Sequence, residues 1–368
     1  MSSVVFFFGA GASAPFGIPT MQQMVIEFEK ELNEKTPPSE EARLYGGICN
    51  FLNRTLGRPT DLEAVFTVVD SIINWSPDRM GIAALYHAVR SAQLTSGESQ
   101  EFDRPNLNPP SREQAEVAKK LKTHFEGFVR EKCRVRDDEL ERIEKVYGSF
   151  FSRLANTVPI HTGWAGPNRY AYGDWPIFTT NYDPVLEHYW IDIVQLTLNS
   201  GFTYNNVARM EVSNPERLRD PGLRLFKLHG SITWLLDGRW GLTEQRAPPE
   251  EMKTFTGRKF LGQVMLYPIE EKELYVEPYM TMYLMLNREL DASNRWIAVG
   301  YSFGDRIIRD IFVRNSKKDT TLALLHPRAK DIAARLEGFK GRIAPVEGRF
   351  GLEDYDAVNN AIAVGLRG

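Results

Sequence analysis

Three short stretches carry residue types suited to chemistry on a small polar ligand. Gly9-Ala10-Gly11-Ala12-Ser13 follows an apolar run and precedes a helical pattern. Small residues there let the backbone approach an anion closely, and amides at a helix start point towards it. Asn181, within Thr179-Thr180-Asn181-Tyr182-Asp183, offers an amide donor and an acceptor that can orient a hydroxyl or a water. His229, within Lys227-Leu228-His229-Gly230-Ser231, is a candidate base. A neutral imidazole near its ordinary pKa of about 6.5 can take a proton at pH 7. Each stretch also has a plainer alternative. The glycine loop can be a tight turn, His229-Gly230 a turn, and Asn181 an Asx turn. Asp183 before Pro184 fits a helix cap followed by a first-turn proline. A fourth stretch, Val299-Gly300-Tyr301-Ser302-Phe303-Gly304-Asp305, is another glycine/serine turn opening a helix, where Asp305 also suits a helix start.

These stretches need strand ends to hold them. Residues 3–8 form a continuous apolar run that reads as a buried parallel strand, and Met21 to Leu32 has helical spacing. Glu63–Ile73, Ile82–Leu94, Gln114–Lys132 and Glu139–Ala155 are helical in period, and the Pro/Asn-rich Arg104–Ser111 interrupts them. Further strands are expected at 176–180, Leu223–Leu228, Gln263–Tyr267, Trp296–Val299 and Thr321–Leu325, with a hairpin starting at Ile232–Leu236. Helices are expected at Pro184–Leu198, Tyr279–Asp291, Asp305–Val313 and Arg328–Leu336. The alternation predicts an α/β fold, a doubly wound Rossmann-like parallel sheet formed by residues 1–34 and 140–368. Residues 35–139 read as a large helical insertion. In such sheets ligands bind beyond the carboxyl ends of the strands, where Gly9, Asn181 and His229 would converge.

Composition narrows the function classes. Of 368 residues 42% are hydrophobic and 25% charged, ordinary for a globular chain, and the net charge of -3 gives no general attraction to nucleic acid or an anionic membrane. No clustered acidic motif suggests a nuclease. The two cysteines, Cys49 and Cys133, exclude a cysteine-rich zinc site and fit a reducing cytoplasm. No apolar stretch approaches the roughly 20 residues of a membrane span, and residues 4–8 lack the flank of a signal peptide. The Met-rich run from Tyr279 reads as core or a subunit contact.

The ordered set of motifs resembles the sirtuins. The opening Gly9-Ala10-Gly11-Ala12-Ser13 with Gly17-Ile18-Pro19, then Thr180-Asn181-Tyr182-Asp183, then Leu228-His229-Gly230 are similar to the family's GAG…GIP, TQNID and LHG motifs. Gly300-Tyr301-Ser302 is similar to its GTS turn, and His326-Pro327 stands where the family often has Asn-Pro. The resemblance implies NAD as substrate, with Asn181 and His229 catalytic. It implies NAD contacts from Gly9, Ala10, Gly11, Ala12, Ser13, Pro19, Thr180, Asp183, Gly300, Ser302, Phe303 and His326. Two departures select within the family. The chain lacks the four-cysteine zinc module, whose place the helical insertion takes, and no metal is expected. Thr20-Met21-Gln22 replaces the Asp-Phe-Arg that normally follows GIP.

Together these features resemble the zinc-free bacterial branch associated with NAD hydrolysis in anti-phage defence. The implied activity is an NAD glycohydrolase that releases nicotinamide and ADP-ribose. The branch also implies a homo-oligomer working with a HerA-like ATPase or another defence partner. The tail 351–368 is read as too short for a further domain, which fits the subunit that pairs with a separate ATPase. Two alternatives stay open: an NAD-dependent protein deacylase, and a non-catalytic subunit that senses NAD or ADP-ribose.

Overall fold

Val4–Phe8 (β1) is buried along its whole length, so both of its faces must be covered. On one face Phe6 and Phe8 meet Phe151 at ring-centroid distances of 5.6 and 6.2 Å. On the other, Phe7 packs on Tyr301 at 4.6 Å and on Phe312 at 5.4 Å. This two-sided burial explains the uninterrupted apolar run. The computed structural model describes residues 4–34, 37–55, 62–74, 110–155, 174–206, 210–237, 239, 241–245, 262–265, 277–351 and 360. The expected helix Ile82–Leu94 and most of Arg104–Ser111 lie outside the described residues, as do Tyr267 and the strand end it was expected to form.

In chain order the helices are α1 (Met21–Leu32), α2 (Glu40–Thr55), α3 (Leu62–Ile73), α4 (Arg112–Lys132), α5 (Leu140–Ala155), α6 (185–193), α7 (Tyr279–Ala292), α8 (Arg306–Asn315) and α9 (Ala329–Ala333). The strands after β1 are β2 (Trp175–Thr179), β3 (Phe202–Asn205), β4 (Met210–Ser213), β5 (Leu223–Lys227), β6 (Gly230–Asp237), β7 (Gly241–Glu244), β8 (Gly262–Met265), β9 (Arg295–Val299), β10 (Thr321–Leu325) and β11 (Arg342–Val346). Two compact units divide the chain: Met1–Thr20 with Cys133–Leu266 and Glu273–Gly368, and Met21–Lys132 with Tyr267–Lys272.

The first unit holds a six-stranded sheet in the order β11-β10-β9-β1-β2-β5, every pair parallel. Counted along the chain within this sheet, that is the 3-2-1-4-5-6 order of the doubly wound nucleotide-binding fold, read from the β5 edge. The strand order reverses between β1 and β9, so the ligand crevice of this topology opens there. The α/β parallel architecture read from the sequence is thus present.

The same unit also contains a five-stranded sheet, β3-β4-β7-β6-β8, antiparallel throughout. Ile232–Leu236 does start a hairpin, and 263–265 pairs antiparallel beside it rather than joining the parallel sheet. The strand pattern alone does not tell which sheet a short segment joins. Two further differences have local causes. The helix expected at Pro184–Leu198 stops at Ile193, because its second half is wound as a π-helix and Gln195 turns left-handed at φ 58°. The edge strand β11 contains Pro345, a residue that weakens a strand signal and is tolerated at an edge.

The second unit is helical among the described residues. Phe28 (α1), Phe66 (α3) and Phe125 (α4) form its aromatic centre, with Phe66 stacked on Phe125 at 3.9 Å. A capping box starts α4: Ser111 Oγ accepts from the Gln114 amide, and Gln114 Oε1 accepts from the Ser111 amide. Lys122 pairs with Asp70 at 2.7 Å, linking α4 to α3.

Candidate functional site

At the reversal point the loops after β1 and β9 interlock through glycine. The amide of Gly9 donates to the carbonyl of Val299 at 2.9 Å, and the amide of Gly11 to that of Gly300 at 3.0 Å. A Cβ on Gly9 would lie 2.7 Å from the Gly300 carbonyl oxygen, and one on Gly11 would lie 2.8 Å from the Gly300 Cα. Gly300 itself sits at φ 64°, and a Cβ there would strike the Ala12 amide nitrogen. The glycines therefore serve first to let two backbones touch.

This packing changes which amides a ligand can use. In the glycine loop the N–H groups of Gly9, Gly11, Ala12 and Ser13 all donate to backbone carbonyls. Ala10 is the one residue of the five whose amide has no partner among the described residues. Across the crevice, the consecutive amides of Ser302, Phe303 and Gly304 and the Ser302 hydroxyl have none either. Phe303 is in the left-handed region at φ 52°, so this run has the form of an anion-binding nest.

Asn181 is held firmly beside the glycine loop. Its Nδ2 donates to the Gly9 carbonyl at 3.0 Å and to Ser13 Oγ at 2.9 Å. Because a carbonyl can only accept, the amide orientation is settled. Both N–H groups are engaged, and Oδ1 is the group left to accept from a ligand or a water. The expectation that Asn181 would supply a donor as well is corrected by this arrangement. The Ser13 hydroxyl in turn donates to the Asp183 carboxylate, which also accepts from the Val185 amide at 3.2 Å just ahead of α6. Burial pushes the Asp183 carboxyl up from its ordinary range, opposed by the nearby Lys227 ammonium and the Ser13 hydroxyl.

Beneath this turn lies a buried ion pair that the motifs did not announce. Lys227, at the end of β5, bonds Glu187 Oε1 at 2.8 Å and the Asp183 carbonyl at 2.6 Å. Both side chains are almost wholly buried. Lys227 thereby ties the Asn181–Asp183 turn to the strand that presents His229. The Cys133 thiol is buried near Asp183 and is pushed well up by that burial.

His229 Nε2 lies 3.3 Å from Asp305 Oδ2, with side-chain exposures of 6% and 7%. Asp305 Oδ1 accepts from the amides of Ile307 and Ile308, capping α8. The sequence around Asp305 shows only a helix start. The partnership with His229 crosses 76 residues and has no local signal.

The remaining residues divide. Ala12 is buried, while Thr180 and Pro19 are half-buried in the two loops. Phe303 is fully buried against Tyr301 and Phe312, so only its backbone can face a ligand. His326 directly follows β10, one strand beyond β9, and its Nδ1 accepts from the Arg328 amide at 3.0 Å. Burial, with Arg328 and Arg335 adding to it, lowers its pKa, which keeps the ring neutral. Among the described residues no group of three or more His, Cys, Asp or Glu is placed to hold a metal ion, and no helix is long and apolar enough to cross a membrane.

Residues 176–340 match the family model of the SIR2-like domain. Among solved structures, a Sir2 homologue in complex with NAD is similar at 11% identity, covering 99% of this chain and 90% of that one, with a TM-score of 0.43. A Sir2 homologue variant in complex with ADP-ribose is similar at 12% identity, covering 99% and 92%, with a TM-score of 0.41. No curated protein shows significant similarity.

Proposed function

We propose that this site takes NAD as its substrate and breaks the nicotinamide–ribose bond, with water as acceptor. Asn181 carries the reading. Its amide nitrogen is pinned by Gly9 and Ser13, and its Oδ1 is kept for a ribose hydroxyl or the attacking water. The amides of Ala10 and of Ser302, Phe303 and Gly304 suit the diphosphate. Gly300 and Ser302 line the same crevice, and neutral His326 suits the adenosine ribose.

The pyridinium nitrogen takes the electron pair of the broken bond, so nicotinamide leaves neutral and needs no acid. The transition state is oxocarbenium-like. Water supplies the new bond, His229 takes its proton, and that proton passes to solvent. The products are nicotinamide, ADP-ribose and one proton.

A second reading is backed more directly by the SIR2-like match, which speaks for the fold and not for the acceptor. In it the site serves an NAD-dependent deacylase or holds NAD or ADP-ribose without turnover. Thr20-Met21-Gln22 after Pro19 and the low cysteine count are what favour water. The resemblance to the defence branch further supports a cytoplasmic, NAD-depleting effector that works as a homo-oligomer with a HerA-like ATPase or another partner.

The test is chromatography of NAD incubated with the protein, with and without the ATPase and with and without an acyl-lysine peptide. Equal release of nicotinamide and ADP-ribose without peptide, lost in Asn181→Ala and His229→Ala, is expected. Turnover only with peptide would establish the deacylase, and binding without turnover in every mixture would establish the sensor.

A further inference from the structure

The base proposed for the reaction is not solitary. His229 stands at the end of β5 and Asp305 at the start of α8, and their side chains meet in a nearly dry place. The carboxylate divides its two oxygens. Oδ1 is held by the amides of Ile307 and Ile308, and Oδ2 faces the imidazole. α8 is itself anchored by buried Ile308, Ile311 and Phe312, so the acceptor is fixed on a rigid element. An ionised carboxylate only accepts, so the ring nitrogen that faces it must carry hydrogen.

We propose that Asp305 is a positioning residue for His229, holding the neutral ring with its hydrogen on Nε2 and leaving Nδ1 as the basic nitrogen. Asp305 also follows directly on the loop whose amides of Ser302, Phe303 and Gly304 have no partner among the described residues. One carboxylate thus joins the base to the segment suited to an anion. The inference rests on the proposed role of His229 for its catalytic consequence, but not for its geometry.

Asp305→Asn separates this role from capping, because asparagine caps a helix as well as aspartate does. Its Oδ1 keeps the Ile307 contact, while an N–H donor replaces Oδ2. The full chain labelled with ¹⁵N-histidine is read by NMR, with His229→Ala identifying the signal. The wild-type ring is expected as the Nε2–H tautomer and the Asp305→Asn ring as the Nδ1–H tautomer, at an unchanged melting temperature. NAD turnover is expected to fall on the order of 100-fold or more, with the Kd for NAD within about threefold. The same tautomer in both proteins would overturn the proposal, and so would full turnover by Asp305→Asn. Should Asp305→Asn melt early, Asp305→Ser, which also caps, takes its place: full NAD turnover there would equally overturn it. If the tautomer switches but the wild type releases no nicotinamide, the function proposed above fails and the positioning of His229 stands.

Discussion

The amide of Gly11 donates to the carbonyl of Gly300 at 3.0 Å, and neither residue has room for a side chain. A Cβ on Gly300 would lie 2.6 Å from the Gly11 Cα, and one on Gly11 would lie 2.8 Å from the Gly300 Cα. This contact joins the two strands between which the sheet reverses its order. It places the residues of the β1 loop and the β9 loop on one crevice.

Gly300→Ala is therefore expected to be destabilising. The left-handed backbone alone costs about 1–2 kcal/mol, and the collision with the opposing backbone adds to that. A fall in melting temperature by circular dichroism checks it. Gly304→Ala is the control, because its Cβ would meet only Ser302 Oγ at 3.5 Å. An unchanged melting temperature for Gly300→Ala would mean that the two loops do not pack this way.

Ser13 links Asn181 to Asp183, so removing its hydroxyl loosens Asn181 without removing it. Ser13→Ala is expected to lose about 1 kcal/mol of stability and about tenfold or more in NAD turnover. Melting curves and initial rates measured together separate the two effects. A normal rate would show that the Gly9 carbonyl suffices to orient Asn181.

The buried pair Lys227–Glu187 predicts non-additive mutations. Lys227→Met leaves a buried Glu187 carboxylate without its partner and is expected to cost about 3–5 kcal/mol. Lys227→Met combined with Glu187→Met is expected to recover part of that loss. Urea denaturation of the four proteins in the cycle measures the coupling, and simple additivity would contradict the pairing.

Asp183 carries a pH signature. Burial raises its folded-state value above the unfolded one of about 3.9. Its contribution to stability is thus fully present below the unfolded value and is lost as pH rises through the folded value. Asp183→Asn keeps an oxygen for the Val185 amide and removes the buried charge. At pH 7 it is expected to melt at or above the wild-type temperature, with the advantage shrinking towards pH 4. A large loss of stability at pH 7 would show that the Lys227 ammonium outweighs the burial.

The sequence by itself determined the local elements and the motif positions. The all-apolar run 4–8 announced a strand covered on both faces, and glycine after β1 and β9 announced tight strand ends. Asp183-Pro184 announced a helix start, and the helix does begin just after it, at Val185, although Pro184 and not Asp183 takes the N-cap position. These features are legible because burial, backbone freedom and capping each act over a few residues. The tertiary structure alone decided the rest. Whether a short strand joins the parallel or the antiparallel sheet depends on partners far along the chain, as for β8 and β6. The amides of the glycine loop looked open to a ligand, but two of them donate to Val299 and Gly300 and two to the loop's own carbonyls. Lys227 with Glu187, and His229 with Asp305, are separated by 40 and 76 residues. Such pairings carry no periodicity, because a contact between distant segments is set by the path of the chain and not by spacing within it.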